Sequence, residues 1–84
     1  MSAEIKARVS QLMTQGVLGA HLGVSQQTVF GWLNLTRIPA ERVVPLCKVL
    51  DWRITPHEVR PDIYPNPTDG LPEGIRLHQQ GHDQ

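Results

Sequence analysis

Two adjacent glutamines and a threonine follow a serine in the first third of the chain. A glutamine amide donates and accepts hydrogen bonds at once, so it matches the N7 and N6 edge of adenine. A threonine offers a hydroxyl and a methyl group, which suit a phosphate or a thymine. If Ser25 caps a helix, Gln26, Gln27 and Thr28 lie on its first turn. The pattern therefore predicts a helix whose exposed first turn contacts the edges of bases.

Other side chains near this turn extend the predicted surface. Phe30 can meet a thymine methyl, and Gly31 can let the backbone come close to a groove wall. The predicted base contacts are therefore Gln26, Gln27, Thr28, Phe30 and Gly31. Polar groups before and after this helix are placed to hold phosphates. These predicted backbone contacts are Thr14, Gln15, Ser25, Asn34, Thr36 and Arg37.

Simpler roles stay open for several of these residues. The glutamines and Thr28 also suit an ordinary solvated first turn. Phe30 also suits a partly buried aromatic or an interface residue, and Arg37 a solvated loop. Gly31 is also explained as a poor helix residue that costs about 1 kcal/mol.

Two short helices joined by a three-residue turn must position this surface. The predicted second helix spans about residues 15–22 and the third spans residues 26–33, so the pair crosses at a steep angle. Gly19 is small where the backbones approach, and Gly23 tolerates the positive φ of the turn. Apolar residues on both helices and in the turn face inward, namely Leu18, Leu22, Val24, Val29, Trp32 and Leu33.

Apolar periodicity predicts helices on both sides of this pair, and no strand. The first, Ala3 to Met13, is capped by Ser2, and its apolar stripe consists of Ile5, Val9, Leu12 and Met13. A polar connection spans residues 34–38. The fourth helix carries the stripe Val43, Leu46, Cys47 and Leu50. It either begins near Arg42, with Pro45 in its first turn, or kinks at Pro45.

A capping box with proline at the first helical position, Thr55-Pro56-His57-Glu58, predicts a short fifth helix. Prolines and glycines then interrupt the chain, and few apolar residues follow. The sequence therefore predicts an all-α, five-helix domain over residues 1–65 and a flexible acidic tail over residues 66–84.

Size and composition favour a binding protein over an enzyme. The chain has 84 residues, and it contains no pair of nucleophile and base at helical spacing. Cys47 has no second cysteine to pair with and sits on an apolar stripe, which predicts an inert thiol. His78 and His82 have metal-chelating spacing without a third ligand, so no metal, cofactor or small-molecule ligand is expected.

The chain contains no window of about 20 apolar residues, so a cytoplasmic protein without membrane contact is expected. Its net charge is zero, but the charge is unevenly distributed. Residues 1–60 carry seven basic and four acidic side chains, a net charge of +3, whereas residues 61–84 carry one basic and four acidic side chains, a net charge of −3. A mildly basic body still permits a polyanionic partner.

The segment from Gln15 to Trp32, QGVLGAHLGVSQQTVFGW, resembles the helix-turn-helix of lambdoid phage repressors and Cro proteins. Glycine replaces the commoner alanine at Gly19. Downstream, the strings IPAER from Ile38 and VRPDIYP from Val59 resemble the YdaS-type branch of Cro-like regulators from prophages and their hosts. The resemblance implies a lambda-repressor-like fold and a transcriptional regulator, usually a repressor, in a bacterial cell or a phage-infected host.

Such a regulator is expected to bind double-stranded operator DNA as a homodimer or higher homo-oligomer, because one recognition helix contacts only a few base pairs. Apolar residues after the third helix either form the interface or close the core, namely Trp52, Ile54, Val59, Ile63 and Tyr64. The alternative function is a protein-interaction module, such as an antitoxin-like partner in a toxin–antitoxin pair.

Overall fold

The computed structural model describes residues 1–74, which contain five α-helices and no strand. The helices are α1 (Ala3–Leu12), α2 (Gln15–Leu22), α3 (Gln26–Asn34), α4 (Ala40–Val49) and α5 (Pro56–Val59). The predicted all-α class is confirmed. The bounds of α2 are as predicted, while α1 ends one residue earlier and α3 one residue later than expected.

Side-chain caps begin the first three helices. The hydroxyls of Ser2, Thr14 and Ser25 accept hydrogen bonds from the N–H groups three residues further on, at 3.2, 3.3 and 3.1 Å respectively. Each bond satisfies an amide that the helix itself leaves without a partner. The capping box at Thr55 and Glu58 is also present. The predicted helix starts rest on these local contacts.

The core lies where α2 packs against α3 and α4, and α4 packs against α5. Its buried members are Ile5, Val9, Leu18, Val29, Trp32, Leu33, Ile38, Val43, Leu46, Cys47, Leu50, Ile54 and Val59. Two expectations need correction. The connection between α3 and α4 is not wholly polar, because Ile38 is buried, and Leu12 is 38% exposed because it lies on the last turn of α1.

Pro45 lies inside α4 rather than in its first turn. The helix begins at Ala40, two residues before the predicted start, and the Arg42 N–H already donates to the Pro39 carbonyl at 2.9 Å. The alternative of a start near Arg42 is therefore wrong. Pro45 has no N–H for the carbonyl four residues before it, but its ring is exposed and leaves the buried stripe of α4 intact.

The apolar residues after α4 mostly close the core. Ile54 and Val59 are buried, and Trp52 and Tyr64 pack against the core. Ile63 is 41% exposed. Of the two alternatives for this group, closing the core therefore holds for all of them except Ile63.

Residues 66–74, the first part of the predicted tail, form turns against the helical domain. Gly70 lies so close to Pro56 and Tyr64 that a Cβ built on it would come within 2.9 Å of both side chains. Its φ of 81° also favours glycine. The rest of the predicted tail, including His78 and His82, lies outside the described residues.

Candidate nucleic-acid interface

The corner, residues 15–34, consists of α2, a three-residue turn and α3. Gly23 ends α2 with φ 73° and ψ 28°, the left-handed conformation predicted for it. A Cβ built on Gly19 would lie 2.6 Å from the Val24 carbonyl oxygen. The backbones of α2 and the turn are therefore in direct contact, as the small residue predicted. This close approach determines where α3 emerges from the domain.

The first turn of α3 presents its two glutamine amides to solvent. Gln26 and Gln27 are exposed, and neither side chain hydrogen-bonds to another residue within 1–74. Together with Gln15 and Phe30 they line one shallow depression. The Gln26 Oε1 atom lies 3.7 Å from the position of a Cβ on Gly16, so this side chain rests beside the start of α2. The structure thus brings these four predicted residues together.

Thr28 uses its polar groups within the cap of α3. Its N–H donates to the Ser25 hydroxyl at 3.1 Å, and the two hydroxyls lie 3.0 Å apart within hydrogen-bonding distance. The hydroxyl of Thr28 is therefore engaged within the cap, and its methyl group is the part left for an apolar contact. Phe30, one turn beyond Gln26, is 46% exposed.

The C-terminal end of α3 is held by side chains on both sides. Gly31 has open space where a side chain would stand, and its carbonyl oxygen accepts from the Thr36 hydroxyl at 3.4 Å. The Asn34 Nδ2 atom donates to the Phe30 carbonyl at 3.0 Å, and its Oδ1 atom accepts from Lys6 Nζ at 2.8 Å. Both ends of the Asn34 amide therefore have a partner.

Arg37 belongs to a three-residue ion network. Its Nη1 atom lies 3.0 Å from Asp62 Oδ2, and Arg60 donates to both oxygens of the same carboxylate. Arg60 also donates to the Ile38 carbonyl at 2.9 Å and is only 16% exposed in its side chain, against 71% for Arg37. The Arg60 guanidinium holds the pKa of Asp62 at about 2. Asp62 is thus firmly held by Arg60, while Arg37 stands on the outside.

A second charged cluster joins Glu58 of α5 to Arg8 of α1. Arg8 Nη1 lies 2.6 Å from Glu58 Oε2, and Arg8 also donates to the Arg53 carbonyl at 3.0 Å. Burial by itself raises the pKa of Glu58, but hydrogen bonds from Arg8 and Thr55 outweigh it, so the pKa lies below its usual value. Burial raises the pKa of the Cys47 thiol to about 12, in keeping with an unreactive cysteine.

The sequence did not predict the contacts of two cations near the corner. Lys6 reaches Asn34 across 28 residues, and Arg42 Nη1 donates to the Leu22 carbonyl at 3.0 Å, at the C-terminus of α2. Both contacts join different helices. Local spacing carries no signal for them, because each depends on how the helices pack.

With the geometry established, comparison with known proteins places the chain in a family. The model of the family described as bacterial toxin YdaS matches residues 5–68, more than half of the chain. The chain belongs to the bacterial toxin YdaS family. No curated protein and no solved structure matches it.

The YdaS match covers the corner and the charged clusters described above. It begins within α1, spans the corner and both ion networks, and ends in the turns after α5. Within the described part of the chain, no helix is long and apolar enough to cross a bilayer. Residues 1–74 also contain no group of three or more His, Cys, Asp or Glu side chains that could hold a metal ion.

Proposed function

We propose that this YdaS-family protein is a sequence-specific DNA-binding regulator of transcription, a Cro-like repressor that inserts α3 into the major groove of its operator. The observation that carries the proposal is the exposed pair of amides on the first turn of α3. Gln26 and Gln27 have no hydrogen-bond partner within residues 1–74. Other exposed amides such as Gln11 also lack a partner within that range, so it is the placement of this pair on the first turn of α3, after the three-residue turn, that supports base recognition.

In this proposal, the two glutamine amides contact adenine and the Thr28 methyl group contacts thymine. Each glutamine has both a donor and an acceptor free for the N6 and N7 atoms of adenine. Thr28 offers its methyl group to thymine, because its hydroxyl is engaged with Ser25. Phe30 extends the apolar part of this surface, and Gly31 leaves room for the groove wall.

The start of α2 supplies backbone groups for a phosphate. Thr14 satisfies the N–H of Val17. The N–H groups of Gln15 and Gly16 precede the first intrahelical bond and have no acceptor within residues 1–74. Free amides at a helix N-terminus bind anions well. Ser25, Asn34, Thr36 and Arg37 complete the proposed backbone contacts, and Arg37, whose side chain is 71% exposed, is the one cation of this set.

The expected oligomeric state and cellular location follow from this role. A single α3 contacts a few base pairs, so we expect a homodimer or higher homo-oligomer on two half-sites. Repression of a promoter requires no cofactor and no catalytic chemistry, and it takes place in the cytoplasm of a bacterial cell or phage-infected host. The family's description as a toxin is compatible with a DNA-binding protein that represses genes its host needs.

A protein-binding role is the second candidate. Exposed apolar side chains favour it: Leu35 is 75% exposed and Phe30 46%. A toxin or antitoxin-like protein could use these residues to hold a protein partner on the same scaffold. The net charge of zero also supports this alternative.

Selection from a random duplex library tests the leading proposal. Wild-type protein should enrich one motif, and the double variant Gln26→Ala, Gln27→Ala should lose that preference while melting as the wild type does. Each lost bidentate contact is worth about 1–3 kcal/mol of discrimination. Gln11→Ala is the matched control, because Gln11 is also exposed but lies on α1. An equal loss of affinity for selected and random duplexes would contradict base recognition.

Salt dependence separates the two candidates. For a DNA-binding protein, log affinity for duplex DNA falls with log salt concentration by about 0.9 per phosphate contacted, so several contacts give a slope of several units. A protein-interaction module should show little affinity for DNA and an almost flat slope. That second result would favour the protein partner.

A further inference from the structure

Lys6 is a cation that the folded chain brings to the end of the proposed recognition helix. It lies on α1, yet its Nζ atom donates to Asn34 Oδ1 at 2.8 Å. Asn34 in turn donates to the Phe30 carbonyl at 3.0 Å, so the amide is anchored on α3. Asn34 therefore holds the Lys6 ammonium group beside α3.

The Lys6–Asn34 contact lies at the end of an exposed face of α3. Gln26, Phe30 and Asn34 are spaced by four residues, so they follow one face of the helix, and all three are exposed. Gln26 and Phe30 line the same depression beside the start of α2. Lys6 thus stands at the far end of the row whose near end holds the proposed base contacts.

The partner of Lys6 leaves its charge uncompensated. Asn34 is neutral, whereas Arg8 and Arg37 each lie within 3.0 Å of a carboxylate oxygen. A cation that already faces a carboxylate gives a phosphate less net attraction than one held by a neutral amide. Within residues 1–74, Lys6 is therefore an ammonium group held by a neutral amide and without a carboxylate partner.

We propose that Lys6 binds a phosphate of the DNA backbone beside the C-terminal end of α3, and that Asn34 is the positioning residue that holds it there. The inference rests on the proposed DNA-binding function and adds to it. It assigns to Asn34 an indirect role, through Lys6, in place of its own phosphate contact. The simpler possibility is that Lys6 only stabilises the C-terminal end of the α3 dipole.

The test compares Lys6→Gln with Lys48→Gln in the full chain. Lys48 is an exposed lysine on α4 whose side chain has no hydrogen-bond partner within residues 1–74, so it is a matched loss of charge. Affinity for a random-sequence duplex is measured across a salt series. Lys6→Gln should reduce the magnitude of the slope by about 0.9, the loss of one phosphate contact, and Lys48→Gln should leave it unchanged.

Further variants separate position from charge. Lys6→Gln should weaken selected and random duplexes by the same factor, because a phosphate carries no sequence information. Lys6→Arg should keep the wild-type slope. Asn34→Ala should weaken binding several-fold in the wild-type background but little in the Lys6→Gln background, because Asn34 acts through Lys6; equal loss in both backgrounds would show a direct contact by Asn34 instead. Melting temperatures of all variants report any change in stability.

The outcomes distinguish this inference from the proposed function. A steep wild-type slope with equal slopes for Lys6→Gln and Lys48→Gln would overturn the role of Lys6 and leave the DNA-binding proposal standing. The same holds if Lys6→Gln lowers the melting temperature but not the slope, since that is the stabilising role alone. A flat wild-type slope would remove the proposed function itself.

Discussion

The corner and the base of this domain are closed by different means. In the corner, residues 15–34, steric fit dominates: Gly19 lets the turn approach α2, and apolar side chains fill the space beneath. The base, residues 53–64, adds ion pairs of charged side chains to its buried Ile54 and Val59. Glu58 is held by Arg8, and Asp62 by Arg60 and Arg37.

The difference concerns which polar groups remain available. A corner closed by shape leaves the Gln26 and Gln27 side chains without partners within residues 1–74, because neither is needed to hold the helices together. The base uses its charges internally, so these groups have less to offer a partner. The availability of the Gln26 and Gln27 amides supports the proposal that the first turn of α3 contacts DNA. Predictions that disturb one region and spare the other test this contrast.

A larger side chain in the corner should have the greatest effect. Gly19→Val places atoms against the Val24 carbonyl, where even a Cβ would lie at 2.6 Å, so the backbones must separate. We expect the free energy of unfolding to fall by about 1–3 kcal/mol in chemical denaturation.

Gly31→Ala is the matched control for the corner. Nothing lies within 4 Å of a Cβ there, so the helix should gain stability by up to about 1 kcal/mol over glycine. Equal destabilisation by Gly19→Val and Gly31→Ala would mean that the corner is not closed by close backbone contact.

Neutralising Glu58 should weaken the base. Glu58→Gln removes the charge that Arg8 contacts, and it should lower the free energy of unfolding by about 1 kcal/mol at neutral pH, an amount limited by partial exposure. Glu41→Gln is the control, since Glu41 also lies in the first turn of a helix but is exposed.

The sign of the pH dependence follows from the pKa of Glu58. Its pKa in the folded protein lies below the ordinary 4.5, so the ionised form stabilises the fold. This contribution is complete above pH 4.5 and is lost as the pH falls through the folded pKa. The difference between wild type and Glu58→Gln should therefore shrink below pH 4.5. A difference that persists unchanged into acid would rule out the ion pair as its cause.

Removing the acidic partner of Arg37 should have the smallest effect. It tests whether the ion pairs of the base reduce the attraction of its cations for DNA. Asp62→Asn removes the carboxylate 3.0 Å from Arg37, so affinity for duplex DNA should rise a few-fold at low salt and the salt slope should steepen. In an Arg37→Gln background the same change should bring little gain. A similar gain in both backgrounds would show that Asp62 acts as a general negative charge rather than through Arg37.

Much of the fold could be predicted because its signals are local. The caps at Ser2, Thr14 and Ser25 and the capping box at Thr55 bond residues only three positions apart. Gly23 had to adopt positive φ for the chain to turn within three residues. Two alternatives for the start of α4 stayed open in the sequence, because a proline inside a helix departs from the local rule for that residue.

Part of the candidate site could not be predicted in the same way. Exposure of Gln26 and Gln27 was expected from helical spacing, and it is confirmed. The partners of the nearby cations were not, since Lys6 and Arg37 find theirs 28 and 25 residues away. Neither pairing leaves a trace in periodicity or composition.

The amino-acid sequence by itself determined the helices, their caps and the glycines at the turn, because each depends on interactions within one or two turns of chain. Only the tertiary structure decided which charged side chains within residues 1–74 have an oppositely charged partner. Packing of α1 beside α3 gives Lys6 a neutral partner, and the return of the chain after α5 gives Arg37 an acidic one. Coulombic interaction depends on distance in space, and that distance exists only once the helices are assembled.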